Sequence, residues 1–178
     1  ISSSGGLVGL MVKCSVEGAV GMLGIVLSGA AYMPLDPAYP PKRLSQIIKG
    51  SPLSVVATAP NSAAATQAMK WIASAWPKVS TIEIALHSQE VAPLPSDENT
   101  LQRLRSYGAQ HLLNLSFTSG STGKPKGVAY THAGTLAQAR FFTSKFPFGE
   151  NEGIINHITY GWEDHKRQVW PPLLLGKE

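Results

Sequence analysis

The chain switches its hydrophobic period twice within its first 37 residues, and that switching admits only a small set of folds. Residues 7–12 (LVGLMV) are a short, nearly continuous apolar run, the pattern of a strand covered on both faces of a parallel sheet. In residues 15–28 the side chains Val16, Val20, Leu23 and Leu27 step by four, three and four. That spacing is one stripe of a helix, with Ser15 as N-cap and Gly29 as stop. Residues 32–37 (YMPLDP) are stiff and extended, because each proline fixes its own φ and pushes the preceding residue towards β or polyproline geometry.

The alternation then repeats. Pro41 suits the first turn of a helix, Leu44, Ile47 and Ile48 form its buried stripe, and it ends near Gly50; residues 54–58 (SVVAT) form the next strand. Residues 61–75 are Ala-rich and helical, and residues 81–86 (TIEIAL) are strand-like. Residues 88–100 (SQEVAPLPSDENT) are polar and proline-bearing, hence a surface connection. Leu113, Leu115 and Phe117 alternate with Asn114, Ser116 and Thr118, so this strand buries one face more than the other and delivers the chain to a glycine-rich turn. A helix over about 131–145 follows, capped by Thr131. This order predicts an α/β fold, an open, mostly parallel sheet with flanking helices, whose ligands bind at the carboxyl ends of strands. The glycine-rich turn occupies such an end.

Composition narrows the function classes. A chain of 178 residues with 43% hydrophobic and 15% charged side chains can bury a core and make one domain or most of one. Its net charge of +4 comes without a dense cationic run, so no nucleic-acid partner is demanded. Lone Cys14 excludes an internal disulfide framework and a multi-cysteine zinc site, and points to a reducing compartment, the cytoplasm. The longest charge-free run, residues 19–35, is broken by Gly21, Gly24, Ser28, Gly29 and Pro34; it falls short of the roughly 20 apolar residues a membrane span requires. The first residue is Ile and no leader-like stretch opens the chain, so residues 1–178 read as a fragment cut at both ends. Lys42 with Arg43, and Arg103 with Arg105, read as solvated basic pairs. Gly18, Gly21 and Gly24 lack the Rossmann spacing and read as sites of close helix packing. Trp71 and Trp76 read as core or groove residues. His87, His111, His132, His157 and His165 show no paired metal-ligand spacing, so no metal site is expected; His132, five residues past Gly127, is a candidate for a place near substrate.

The chemistry concentrates in residues 118–127, TSGSTGKPKG, with three glycines, four hydroxyls and two lysines in ten residues. Glycines let backbone N–H groups converge on an anion, hydroxyls donate to phosphate oxygens, and a lysine supplies mobile positive charge. It is not a Walker A loop, since only Ser121 and Thr122 separate Gly120 from Gly123 and Pro125 follows Lys124. Pro125 also prevents an immediate helix start, so the loop must reach a phosphate by its own flexibility. A plain flexible turn between strands would favour the same glycines and serines, but would not need paired lysines and four hydroxyls.

Residues 115–128, LSFTSGSTGKPKGV, resemble without gaps the signature phosphate loop of the acyl-adenylate-forming superfamily, which includes acyl-CoA synthetases and the adenylation domains of nonribosomal peptide synthetases. Residues 23–41, LGIVLSGAAYMPLDPAYPP, are similar to the motif that precedes this loop in the peptide synthetase members, and WPPLLLG at 170–176 fits the family order. The likeness covers nearly all of residues 1–178 and about the first third of such a domain, without its C-terminal lid subdomain. It implies ATP with Mg²⁺ as the nucleotide, an amino acid or related carboxylic acid as substrate, and a phosphopantetheine thiol on a carrier-protein domain as acceptor. By resemblance Thr118, Ser119, Gly120, Ser121, Thr122, Gly123 and Gly127 fall in the phosphate-binding loop, with Lys126 ordering it or compensating charge and Lys124 more peripheral. No catalytic residue is assigned within the segment, which is expected to be inactive alone.

Counted back from Leu173-Leu174-Leu175-Gly176, the family's aromatic-Asp pair, which holds a substrate amine, falls on Trp162-Glu163. Glu replaces Asp here, so either the register slips to Asp164 or the amine sits elsewhere. Glu163 and Asp164 read equally well as a solvated helix start, where acids complement the dipole. The segment 160–168 also partly resembles aminoadipate reductases. Two alternatives therefore stand beside peptide synthesis: the front end of an aminoadipate-type carboxylate reductase, and a nucleotide-binding remnant without catalysis.

Overall fold

The computed structural model describes residues 6–59, 63–86, 98, 102, 105–119, 125–149, 152–162 and 164–176. Along them run β1 (Leu7–Met11), α1 (Val16–Leu27), β2 (Ala31–Pro34), α2 (Pro41–Lys49), β3 (Val55–Thr58), α3 (Ala63–Ala75) and β4 (Ser80–Glu83). After them come β5 (Leu112–Ser119), β6 (Pro125–Thr131), α4 (His132–Lys145) and α5 (His165–Leu175). The sheet order is β4-β3-β1-β2-β5-β6, parallel throughout except for β6, which runs antiparallel to β5. The expected mostly parallel α/β sheet is therefore present. The expected surface connection at 88–100 lies outside the described residues, apart from exposed Glu98.

Winding follows from strand order. The chain moves from β1 to β2 through α1 and then returns past β1 to β3 through α2, so right-handed crossovers put these helices on opposite faces. On one face Met22 and Ile25 of α1, Ala139 of α4, and Val169 and Trp170 of α5 pack against Leu10, Val12 and Tyr32. On the other, Leu44, Ile47 and Ile48 of α2 and Ala65, Ala68 and Ile72 of α3 pack against Leu7, Met11, Met33 and Val56. Trp71 and Trp76 meet edge to face at 5.1 Å beside this second core. Alternate residues of β1 thus enter different cores, which is why its apolar run has no polar interruption. No helix among the described residues is long and apolar enough to cross a membrane.

Local signals place the helix ends. Ser15 accepts the Gly18 N–H as the N-cap of α1, Gly29 follows with φ of 85°, and Pro41 opens α2. Thr131 caps α4 by accepting the Gly134 N–H at 3.1 Å.

Two expected faces are corrected. Of the stripe Val16, Val20, Leu23 and Leu27 in α1, only Leu23 packs against the core; Val16, Val20 and Leu27 point outward, being 67%, 43% and 41% exposed, while Gly18, Gly21, Met22 and Ile25 are buried. Close approach decides the face: a Cβ at Gly18 would lie 2.1 Å from the Tyr160 ring, and one at Gly21 2.6 Å from Ile84 Cδ1. In β5 a register shift between Leu112 and Asn114 puts Leu113 in the core with α1, and Leu115 and Phe117 against the core with α2. A one-residue bulge switches the side of everything beyond it. Asn114 and Ser116 are consequently buried, and the Asn114 amide donates to the Ser116 hydroxyl at 2.8 Å.

Two elements have no local signal in the sequence. Strand β6 occupies the stretch between the glycine-rich turn and the expected helix at about 131–145, to which the sequence assigns no element, and α5 runs through Pro171 and Pro172, both buried beside Trp170.

Candidate functional site

Antiparallel pairing brings the two ends of the glycine-rich loop together. Ser119 of β5 is the register partner of Pro125 of β6, Thr118 that of Lys126, and Phe117 that of Gly127. Thr118, Ser119 and Lys126 are exposed, and the Thr118 hydroxyl donates to the Lys126 carbonyl at 3.5 Å. Gly120, Ser121, Thr122, Gly123 and Lys124 lie outside the described residues, as does Glu163.

The hairpin stem opens onto a cleft of about 640 Å³ at the carboxyl ends of β2 and β5, the position at which parallel sheets bind ligands. Tyr39 and Arg43 line it from the start of α2, Thr118 and Ser119 from β5, and Gly161, Trp162, Asp164 and Arg167 from the turn into α5. Asp164 Oδ1 receives Arg167 Nη1 at 3.0 Å, and both side chains are about half exposed. This pair also borders a second, more apolar cavity of about 590 Å³ walled by Phe142, Phe146, Ile154 and Ile158. Asp164 precedes the first residue of α5, although its side chain makes no capping hydrogen bond. Asp164 thus stands at a helix start and lines the cleft at the same time.

Arg43 is half-buried rather than fully solvated. Its guanidinium lies 4.5 Å from the centroid of the Tyr39 ring, and its Nε is buried with no hydrogen-bond partner among the described residues. The Tyr39 hydroxyl in turn packs so closely on Gly161 that a Cβ there would lie 2.2 Å from it. Arg105, by contrast, is a surface residue paired with Glu98 at 3.2 Å.

The turn that carries Trp162 and Asp164 is fixed from beneath by buried polar groups. Tyr160 donates its hydroxyl to the Ser15 carbonyl at 2.9 Å, and the Trp162 N–H donates to the Thr159 carbonyl at 3.0 Å. His165 is fully buried; Nδ1 bonds the Trp162 carbonyl and Nε2 lies 3.1 Å from the Tyr32 hydroxyl. Trp170 Nε1 donates to that hydroxyl at 3.4 Å. One tautomer satisfies every group: Nδ1 carries the proton, Nε2 accepts from Tyr32, and the Tyr32 oxygen accepts from Trp170. Burial holds the His165 pKa down at about 4 and pushes that of Tyr32 well above the usual phenol range, so both are neutral. Adjacent Lys166 is also buried, its ammonium 3.0 Å from the Tyr130 ring centroid.

His132 is not on the cleft. Strand β6 carries the chain back to the amino end of β5, where Thr131 is the register partner of Leu112, and His132 lines an apolar cavity with Val26, Leu113 and Trp170. Burial, then the neighbouring His111, lowers its pKa. Among the described residues no group of three or more His, Cys, Asp or Glu is placed to hold a metal. Sequence reasoning misses Tyr39, Arg43, Arg167 and His165. The four-residue step from Tyr39 to Arg43 is a usable signal, but nothing local marks His165.

The chain is similar in sequence and fold to known proteins. The profile of the AMP-binding enzyme family fits residues 3–178. Polyketide synthase PksN of Bacillus subtilis (strain 168) is 31% identical over 153 residues, 86% of this chain and 3% of that protein. Bacitracin synthase 1 of Bacillus licheniformis is 30% identical over 180 residues, 96% of this chain and 3% of that protein. The chain thus spans only a few per cent of the length of these relatives. A four-domain nonribosomal peptide synthetase, solved with AMP and glycine, superposes with a TM-score of 0.70 at 22% identity over 99% of this chain and 12% of the other. A doubly wound sheet that presents this hairpin at its carboxyl edge, and a profile that fits almost from end to end, make the chain a member of the AMP-binding family of adenylate-forming enzymes.

Proposed function

We propose that the chain is the front part of an adenylation domain that activates an amino acid with ATP for loading onto a carrier-protein phosphopantetheine. The reading is carried by the cleft that joins the β5 end of the glycine-rich loop, at Thr118 and Ser119, to the turn bearing Trp162 and Asp164. The exposed Thr118 and Ser119 hydroxyls and the Arg43 and Arg167 guanidinium groups on the cleft, with exposed Lys126 on the paired strand, supply donors and positive charge suited to a polyphosphate. Mg²⁺ would arrive on the phosphates of the nucleotide, as that hard cation commonly does. When bound, MgATP supplies an α-phosphorus open to attack by a carboxylate and pyrophosphate as leaving group.

The protein's share is positioning and charge compensation. Thr118, Ser119 and the loop residues Gly120, Ser121, Thr122 and Gly123 hold the departing phosphates, while Lys126 orders the hairpin. Asp164, or Glu163 beside it, faces the substrate amine; engagement of Asp164 by Arg167 makes Asp164 part of an ion pair there.

The test is amino-acid-dependent exchange of pyrophosphate into ATP by the complete adenylation enzyme that carries this segment. Gly123→Ala and Lys126→Ala should each lower exchange strongly; a single lost charged contact costs about 1.5–3 kcal/mol, or roughly ten- to a hundredfold. Undiminished exchange in both variants refutes the assignment of the loop.

A further inference from the structure

The described residues of the turn between Thr159 and His165 are tied to the body of the fold. Its backbone contains a glycine clamped by Tyr39, its Tyr160 reaches the N-cap of α1, and its last residue is buried without exposure. What this scaffold presents is a 66%-exposed Trp162 at the rim of the cleft. Burying an imidazole, a phenol and an indole N–H is costly unless each polar group finds a partner, and an apolar core would avoid that cost. Here the three form a satisfied line that ends on the main-chain carbonyl of Trp162, the exposed residue itself.

We propose that His165, oriented by Tyr32, is a positioning residue for the carboxylic-acid substrate: by holding the Trp162 carbonyl it sets Trp162 and Asp164 at a fixed place in the cleft. The inference rests on the adenylation reading above and goes beyond it, because neither residue touches the cleft. Its geometric basis is the strand pair. Tyr32 lies in β2 opposite Asn114 of β5, and β5 ends at Thr118 and Ser119. The same two strands therefore carry the hairpin and the anchor of the turn, so the separation between phosphate-facing and substrate-facing groups is set by sheet register rather than by a loop. His165 contacts neither group directly; it acts through Trp162.

The experiment measures KM for the amino acid and for ATP separately, by pyrophosphate exchange in the complete enzyme. Gln at 165 places an acceptor near Tyr32 and loses the Trp162 carbonyl, whereas Asn places an amide N–H where Nδ1 was. His165→Gln is expected to raise the amino-acid KM about three- to tenfold, one hydrogen bond's worth, with the ATP KM unchanged. His165→Asn should return it to within about twofold. Tyr32→Phe, which keeps the ring and deletes only the hydroxyl, should move the same KM in the same direction and provides a milder variant if substitutions at 165 fold poorly. The inference is overturned if both KM values rise together, if only kcat falls, or if Asn is no better than Gln. Absence of exchange by the unaltered enzyme with every amino acid would remove the adenylation reading itself, a result distinct from exchange that ignores these substitutions.

Discussion

Acidification should unfold this chain partly through one residue. His165 has a pKa of about 4 in the folded protein against the ordinary 6.5, the largest cause being burial, followed by the opposing Trp162 carbonyl bond. Lys166 lowers it further and Asp164 raises it, while the Tyr32 and Tyr160 rings face it edge-on at 6.1 and 5.6 Å. Because the folded pKa is depressed, the unfolded chain takes up the proton first as pH falls. The stability supplied by the neutral imidazole is therefore complete above about pH 6.5 and drains away as pH falls towards 4. A gap of about 2.5 units corresponds to roughly 3 kcal/mol in total, with about 2 kcal/mol gone by pH 5. Urea unfolding followed by tryptophan fluorescence at pH 7, 6 and 5, on the wild type and on His165→Gln, isolates this share. His132 is also held down by burial and by His111, but it is common to both proteins and cancels. The advantage of wild type over variant should shrink by about 2 kcal/mol from pH 7 to pH 5. A difference that stays level to within about 0.5 kcal/mol would show that His165 is not neutral and buried as described, and would remove the hydrogen-bonded line to Trp162 with it.

Helix α1 offers a test of opposite signs. Gly18→Ala forces a methyl into the Tyr160 ring and should cost about 1–3 kcal/mol, whereas Gly24→Ala meets nothing within 4 Å and should gain about 0.5–1 kcal/mol from helix propensity; equal effects in thermal melts would refute the glycine-led approach of this helix. Thr131→Ala removes the acceptor of the Gly134 N–H and should cost about 1 kcal/mol, read as a lowered midpoint in urea. Thr131→Ser, which keeps the hydroxyl, should recover most of that loss.

The elements that the sequence discloses are those written in short-range code. A two-sided apolar run at Leu7, Leu10 and Met11, the Leu44–Ile47–Ile48 stripe behind Pro41, and the Ser15 and Thr131 caps each depend on residues within a few positions of one another. Misread faces have longer-range causes. Which stripe of α1 turns inward is settled by Tyr160, more than 130 residues away, and by Ile84. The bulge at Leu112–Asn114 arises where β5 must pair with β2 on one side and β6 on the other, which no alternation pattern can express. Helix α5 is hidden because two adjacent prolines signal a stop; the structure carries the helix through them by burying Trp170, Pro171 and Pro172 together, so tertiary packing outweighs the local penalty.

The candidate site divides along the same line. Thr118 to Gly127 is a contiguous string and is legible as a candidate anion loop, because a loop of that kind draws its donors from neighbouring residues. Its counterpart in the cleft is assembled differently. Arg43 reads as solvated because a basic pair after a proline looks like surface; only the Tyr39 ring beneath it and Gly161 beyond that ring bring it to the cleft. His165 and Tyr32 lie 133 positions apart and meet at 3.1 Å. A histidine read from sequence carries no mark of whether it is exposed, metal-bound or neutral in a core, since all three depend on neighbours supplied by the fold. Buried side chains that meet only through the fold are therefore what composition and spacing leave unseen, even where a contiguous loop stands out. Substitutions that separate amino-acid KM from ATP KM are the measurement able to reveal them.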